Sequence, residues 1–533
     1  MPKYIIVIII AVLLAVAGFY LYSNNKQISA PDQTKQTGEF SSSVNSYPYV
    51  KKSEVVELKN GDSFNLTAEI IKKEIGGNEV KMLAYNGSIP GPLIKVPQGA
   101  EITVNFTNNT DVDSTIHSHG VRLDNQFDGV PDVTQKPIKV GESFTYKLKF
   151  PDVGIYWYHP HVREDYAQEL GLYGNFLVTP LAKDYWAEVD REEILFLDDI
   201  LIQNGQIATF SKSAVDHTLM GRFGNVMLIN GDDNYRLPVK QGERVRFYVT
   251  NTANTRVFNF SIPNARMKLV GADNGKYERE EWVDSALLSP SERAIVEVWF
   301  DKSGDYQIEH KTPNKTYTMG TIAVESNPVT TSYLLVPRVN QDIIAAINPL
   351  RPQLTKPADK TLNLTLSMMG NMMQQNQNTG GHMMPGGGMM GGNEMVTDGQ
   401  LKKIEWEDNL GTMNPMSTTQ MVKWRLVDDS TKKENMDINW QFKKGDLVKL
   451  KLFNDPKSQH PMQHPIHIHG QKFLVTSVNG TPNQNLVWKD TVLVQNGDTV
   501  EILVDMENPG TWVLHCHIPE HMEAGMMSQF KVI

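Results

Sequence analysis

The chain has 533 residues with a hydrophobic share of 40%, 39 glycines, 28 prolines and a formal net charge of -10. That length exceeds what one hydrophobic core supports and predicts about three domains, while the acidic balance argues against nucleic acid as a partner and mildly favours cations. A single cysteine excludes any internal disulfide, so the redox compartment is not legible from bridges.

From Ile5 to Tyr22 the sequence is an almost unbroken apolar run behind Lys3, followed by the polar stretch Ser23 to Tyr49. The run lies between a signal-peptide core and a short membrane helix in length. Signal peptidase would read Ala15-Val16-Ala17 and leave Gly18 first; otherwise the run stays as an anchor, the preferred reading. No cysteine follows it, which excludes a lipoprotein. Residues 1–22 are therefore expected to form an N-terminal apolar helix that is a signal peptide or membrane anchor, and residues 23–50 a flexible tether to an exported body.

From Val55 onward, short alternating apolar runs sit between Gly, Pro and Asn, as in Leu93 to Phe106, and long amphipathic helical patterns are scarce. This predicts β-sandwiches. Internal repeats number them. Asn86-Gly87 with Val96 to Gly99 recurs as Asn230-Gly231 with Val239 to Gly242, and less closely as Asn439-Trp440 with Phe442 to Gly445. Later in each unit, the stretch Gly154 to His161 aligns with Gly510 to His517 and with Gly304 to Lys311. In the middle copy the two histidine positions hold Glu309 and Lys311, so His310 reads as structural and the middle unit as a copy without metal.

Ten of the 14 histidines fall in four clusters: His117-Ser118-His119, His159-Pro160-His161, the stretch His464 to His469, and His515-Cys516-His517 with His521. Alternate residues of a strand share a face, so each His-x-His pair presents two imidazoles together, and neutral imidazole is a good copper ligand. Cys516 points opposite to His515 and His517. Its thiolate with two imidazoles, His464 and His521, and a weak thioether, Met526, makes the ligand set of a blue-copper electron-transfer centre. The four His-x-His pairs suffice for three further coppers between the first and last domains.

These motifs resemble those of the three-domain multicopper oxidases, the family of laccases and cuprous oxidases, over about Val55 to Ile533. The resemblance implies an all-β fold of three cupredoxin-like Greek-key sandwiches: 51–182 and 183–327, then a linker with a Met-rich segment over 328–400, then 401–533. It implies four copper ions. His117 and His467 would hold the type 2 copper, and His119, His159, His161, His469, His515 and His517 the type 3 pair. His464, Cys516, His521 and axial Met526 would hold the type 1 copper. Four one-electron oxidations would then reduce one O2 to water. Asp128 matches an acid near the type 2 copper, although an Asp-Gly turn explains it as well. Relatives carry Glu directly after the distal histidine where this chain has Met522, so Glu520 or Glu523 is expected to supply protons.

The stretch from Ser367 to Met395 holds Met368, Met369, Met372, Met373, Met383, Met384, Met389, Met390 and Met395, with His382 among glycines. Such a segment builds no core, and thioether sulfur selects Cu(I). Met-rich insertions at this place mark the cuprous oxidases. Met462 and His460 precede His464 where those enzymes hold the substrate ion with a methionine and an acid; here His460 departs and reads equally as a surface residue. The expected activity is Cu(I) oxidation in copper tolerance, by a monomer with membrane contact through its N-terminal segment. The alternatives are a laccase-like oxidase of phenols, Mn(II) or Fe(II), and a copper-sequestering binding protein.

Overall fold

The computed structural model describes residues 38–330, 336–368 and 402–533, and only the backbone of the short strands Gly381–Met383, Met389–Gly391, Val396–Thr397 and Gln400–Leu401. The expected N-terminal helix therefore lies outside the described residues. Among those described, no helix is long and apolar enough to cross a membrane. Two compact units result: residues 38–40 with Ser211–Ser213, where Glu39 bridges Ser211, and residues 41–210 with 214–533, which contain three sandwiches.

Alternation makes the strands. In Glu101–Asn109 the side chains of Ile102, Val104 and Phe106 are buried while their neighbours are part-exposed. Each such side chain contributes about 1.5–3 kcal/mol of burial. The three sandwiches repeat one sheet plan. In the first, Leu93–Pro97 pairs parallel with Gly174–Thr179, which pairs antiparallel with Gly154–His159, and this with His117–His119. In the third, Asn439–Phe442 is followed in the sheet by Met527–Val532, Gly510–Cys516, His464–Ile468 and Thr491–Val494. The middle sandwich puts Tyr235–Lys240, Thr316–Glu325, Gly304–Lys311 and Phe258–Ser261 in the same order. Its core is a continuous cluster that includes Phe247, Phe258, Phe260 and Phe300. His310 lies buried there and accepts the Asn259 backbone N–H at 3.0 Å through Nδ1.

The first and middle sandwiches share the apolar cluster Ile155, Leu177, Tyr248, Val270 and Ile295. The first and third are joined by Asn125 Nδ2 donating to Thr511 O at 2.7 Å and by Asn508 Nδ2 donating to Leu123 O at 2.8 Å. One boundary differs from expectation. Lys360–Met368, inside the stretch read as linker, is a strand of the third sandwich, parallel to Asp446–Asn454 and antiparallel to Val422–Asp428. Its period-two leucines, Leu362, Leu364 and Leu366, are buried, and the methionines that follow had masked that alternation.

Candidate metal centres

Strand pairing sets the histidines in register. His117 stands opposite His159, His467 opposite His515, and Ile466 opposite Cys516. Directly opposed residues share a face, so His467 and His515 project from one side of the third sandwich's sheet, and Cys516 from the other with His464, two residues before Ile466. The outward face meets the first sandwich. There His117, His119, His159, His161, His467, His469, His515 and His517 are all buried, and their ring atoms gather in overlapping trios. One trio is His117, His467 and His469; another is His117, His119 and His159; a third is His161, His469 and His515. His517 lies with its ring 5.0 Å from both His119 and His159.

Protein groups fix which nitrogen six of these rings turn inward; among the described residues, His161 and His517 are the two without such a bond. Nδ1 of His117, His159, His467 and His515 donates to the backbone oxygens of Asp128, Pro160, Asp490 and Cys516, at 2.8–2.9 Å. Nδ1 of His469 donates to Asp128 Oδ2 at 2.9 Å. Holding the proton on Nδ1 leaves Nε2 as a lone pair. Nε2 of His117, His159, His161 and His467 is buried without a hydrogen-bond partner. Nε2 of His469 and Nε2 of His515 face each other at 2.9 Å. Two lone pairs at that distance repel, and a proton is an unfavourable remedy because burial pushes His469 well below the usual imidazole range and His515 down to about 4. A bound cation resolves the conflict, so this donor set fits metal.

On the inner face, Cys516 Sγ lies 3.6 Å from His464 Nδ1 and 3.8 Å from His521 Nδ1. These three residues form a separate buried group. His521 rides on the short helix Pro519–Glu523, which proline opens at its first position. Met526 is buried, its N–H donating to His521 O at 3.0 Å and its carbonyl accepting the Cys516 N–H at 3.0 Å. Burial pushes the Cys516 thiol up, so without a soft cation it stays protonated. Trp424, itself fully buried, walls this pocket with ring centroids 4.8 Å from His464 and 4.2 Å from His521. Its Nε1 donates to Thr218 O at 2.7 Å, in a loop of the middle sandwich.

The three acids named from the sequence take different settings. Asp128 is buried between His117 and His469, with Oδ1 3.3 Å from His117 Nδ1 in addition to its bond to His469. The turn also has its reason: at Gly129, φ +80°, a Cβ would sit 2.0 Å from Ile116 O. Glu520 is buried with neither carboxylate oxygen hydrogen-bonded, and burial pushes it up to about 8. Glu523 is exposed. Glu164, which the sequence reading missed, is a further acid beside a histidine of the cluster. Its Oε1 lies 3.2 Å from His161 Nδ1, just short of hydrogen-bond geometry, and it is fully buried. Its position three residues after His161, on the helical turn Glu164–Ala167, was the available signal.

His460 is 3% exposed, which removes the surface reading, and Nε2 has no hydrogen-bond partner. Burial, with the Lys402 charge nearby, pushes it down to about 4. Met462 is fully buried and held by Asn454 Nδ2 donating to its carbonyl at 2.6 Å. Met368 ends its strand half-buried, and its N–H donates to Gln459 Oε1 at 2.8 Å, which brings the start of the methionine segment to this loop. The side chains of Met369, Met372, Met373, His382, Met383, Met384, Met389, Met390 and Met395 lie outside the described residues.

Comparison with known proteins agrees with this geometry. Residues 68–183, 191–338 and 407–533 each match the family described as multicopper oxidase. The chain is 26% identical over 482 residues to Multicopper oxidase mco of Staphylococcus aureus, covering 88% of each protein. It is 24% identical over 592 residues to Copper resistance protein A of Escherichia coli, covering 89% of this chain and 93% of that one. The crystal structure of McoA multicopper oxidase from Aquifex aeolicus superposes with a TM-score of 0.66 at 24% identity, over 91% of this chain and 99% of that one. The chain belongs to the multicopper oxidases, an oxidoreductase of cupredoxin-like sandwiches carrying one type 1, one type 2 and two type 3 copper ions.

Proposed function

We propose that this multicopper oxidase takes its electrons from Cu(I), with the balance 4 Cu(I) + O2 + 4 H+ giving 4 Cu(II) + 2 H2O. The observation that carries the donor assignment is the closed wall around the thiol pocket. His464 and His521 are fully buried behind Trp424, while His460 and Met462 offer an imidazole and a thioether on the approach to His464, and Met368, the first methionine of its stretch, is tied to Gln459. A phenol ring finds no edge of a ligand histidine among the described residues; a small soft ion finds thioether and imidazole. The relative named Copper resistance protein A supports the same reading.

In this reading His117 and His467 hold type 2 copper, and His119, His159, His161, His469, His515 and His517 hold the type 3 pair. His464, Cys516, His521 and Met526 hold type 1. Copper at these positions supplies the one-electron couple and the oxygen-binding centre. Cys516 joins the two sites covalently: His515 leads to the trio with His161 and His469, and His517 to His119 and His159. Asp128 holds His117 and His469 in orientation. Glu520, kept protonated by burial, and Glu164 beside His161 supply protons from the side of the helix Pro519–Glu523, with exposed Glu523 at the solvent end. The domains run over 51–182 and 183–327, with the third assembled from 360–368 and 402–533. The protein is an exported monomer, held at the membrane by residues 5–22.

The test is steady-state oxygen uptake with Cu(I) in a weak chelating buffer against a phenolic donor, for the full chain and for a chain lacking 369–395. Reduced Cu(I) turnover with phenol turnover held or raised supports the cuprous relay. Unchanged Cu(I) turnover with a shift only in phenol oxidation makes the segment a lid and the enzyme a laccase.

A further inference from the structure

The middle sandwich holds none of the candidate ligands, yet one of its side chains reaches the back of the histidine cluster. Arg293, at the start of the strand Arg293–Trp299, is fully buried. Its guanidinium touches all three sandwiches. Nε donates to Ile155 O at 3.0 Å, on the strand that leads to His159; Nη1 donates to Ser291 O at 2.9 Å in its own sandwich. Nη1 and Nη2 grip Asp490 of the third sandwich, at 2.7 Å to Oδ1 and 2.5 Å to Oδ2. Asp273 steadies the grip by accepting the Arg293 backbone N–H at 2.8 Å and that of Asp490 at 3.3 Å.

Asp490 in turn holds two histidines. Oδ1 accepts from His119 Nε2 at 3.0 Å, and the backbone oxygen accepts from His467 Nδ1 at 2.8 Å. The Thr491 hydroxyl lies 3.0 Å from His119 Nε2 and 3.2 Å from His467 Nδ1, and the two rings stack 3.6 Å apart. His119 is also turned opposite to its neighbours. Nε2 is the held nitrogen and Nδ1 is left buried without a partner, whereas His117, His159 and His467 are held by Nδ1. Among the described residues, the carboxylate of Asp490 and the Thr491 hydroxyl define that orientation. The glycine after His119 reflects the same closeness: a Cβ on Gly120 would land 2.1 Å from Asp490 Oδ2 and 3.1 Å from Arg293 Nη2.

We infer that Arg293 is a positioning residue for the interdomain cluster, fixing Asp490 so that His119 presents Nδ1 and His467 presents Nε2. A bidentate fork fixes the rotation of a carboxylate as a point charge does not. The middle sandwich therefore acts on oxygen chemistry through one buried guanidinium.

The test compares Arg293→Met and Arg293→Lys with the parent after copper loading, by copper count per chain, blue absorption, EPR and thermal unfolding of the metal-free protein. Arg293→Met leaves Asp490 buried without its partner, so Arg293→Lys, which keeps the charge and loses the fork, is decisive if the first fails to fold. The expected result for Arg293→Lys is unchanged blue absorption, total copper below four per chain or a raised EPR-visible share, and oxygen reduction about 10- to 100-fold slower. Four coppers with the parental EPR spectrum, whatever the change in unfolding temperature, would overturn the inference and leave Arg293 as a structural tie. Because copper count and EPR do not involve the donor, failure here is separable from failure of the Cu(I) assignment.

Discussion

The thiol pocket takes its candidate ligands, His464, Cys516, His521 and Met526, from one sandwich, whereas the histidine cluster takes four from the first sandwich and four from the third. The pocket is set by packing: Nε2 of His464 and of His521 has no hydrogen-bond partner, and Trp424 lies against both rings. Six of the cluster's rings, His117, His119, His159, His467, His469 and His515, are set by hydrogen bonds to a backbone carbonyl, a carboxylate or Thr491. In the proposed assignment electron entry thus rests on candidate ligands from one sandwich, and oxygen chemistry on a junction between sandwiches. Perturbing the core should change which donors react; perturbing the junction should change copper content and turnover while the blue centre persists.

The sharpest break is Cys516→Ser. It should abolish oxidation of every donor and the blue absorption, while copper analysis still finds the three ions of the junction. Trp424→Ala removes the wall and should cost about 3–5 kcal/mol in unfolding free energy, as for other buried tryptophans. If the wall excludes phenols, phenol turnover rises in this variant while Cu(I) turnover does not, which an oxygen electrode resolves. Asp128→Asn should slow oxygen reduction about 10- to 100-fold with blue absorption intact, since it keeps an acceptor for His469 and loses the charge between two ligands.

The smallest effect concerns acid and the metal-free chain. His469 and His515 have folded values held below the unfolded imidazole value, so the unfolded chain binds more protons as pH falls. For His515 the contribution to stability is complete above about pH 6.5 and is lost as pH drops towards about 4, and His469 acts with the same sign. Calorimetry of the metal-free protein should show an unfolding temperature several degrees lower at about pH 5 than at about pH 7.5. Copper-loaded protein should resist this until its ligands are protonated.

The candidate ligands stood out in the sequence because copper chemistry demands rare residue types at fixed strand spacing: His-Cys-His admits one thiol on one face and two imidazoles on the other. The sandwich repeat was legible for the same reason, since Gly154 to His161, Gly304 to Lys311 and Gly510 to His517 fall at one place in each sheet. What escaped reading is held in three dimensions alone. Arg293 and Asp490 are nearly 200 positions apart and carry no spacing signal, and Glu164 looks like any acid opening a short helix. The strand Lys360–Met368 was hidden because its alternation runs directly into methionines whose composition dominates the stretch.

The central claim, that cuprous ions enter beside His464, is tested most directly with the double variant His460→Ala, Met462→Leu. Its blue absorption is checked first, and kcat/KM is then measured for Cu(I) and for a phenol. With entry beside His464, kcat/KM for Cu(I) falls about tenfold or more, as expected for loss of a thioether and an imidazole donor, while the phenol value stays within about twofold. Equal loss for both donors, or no loss for Cu(I), would contradict it.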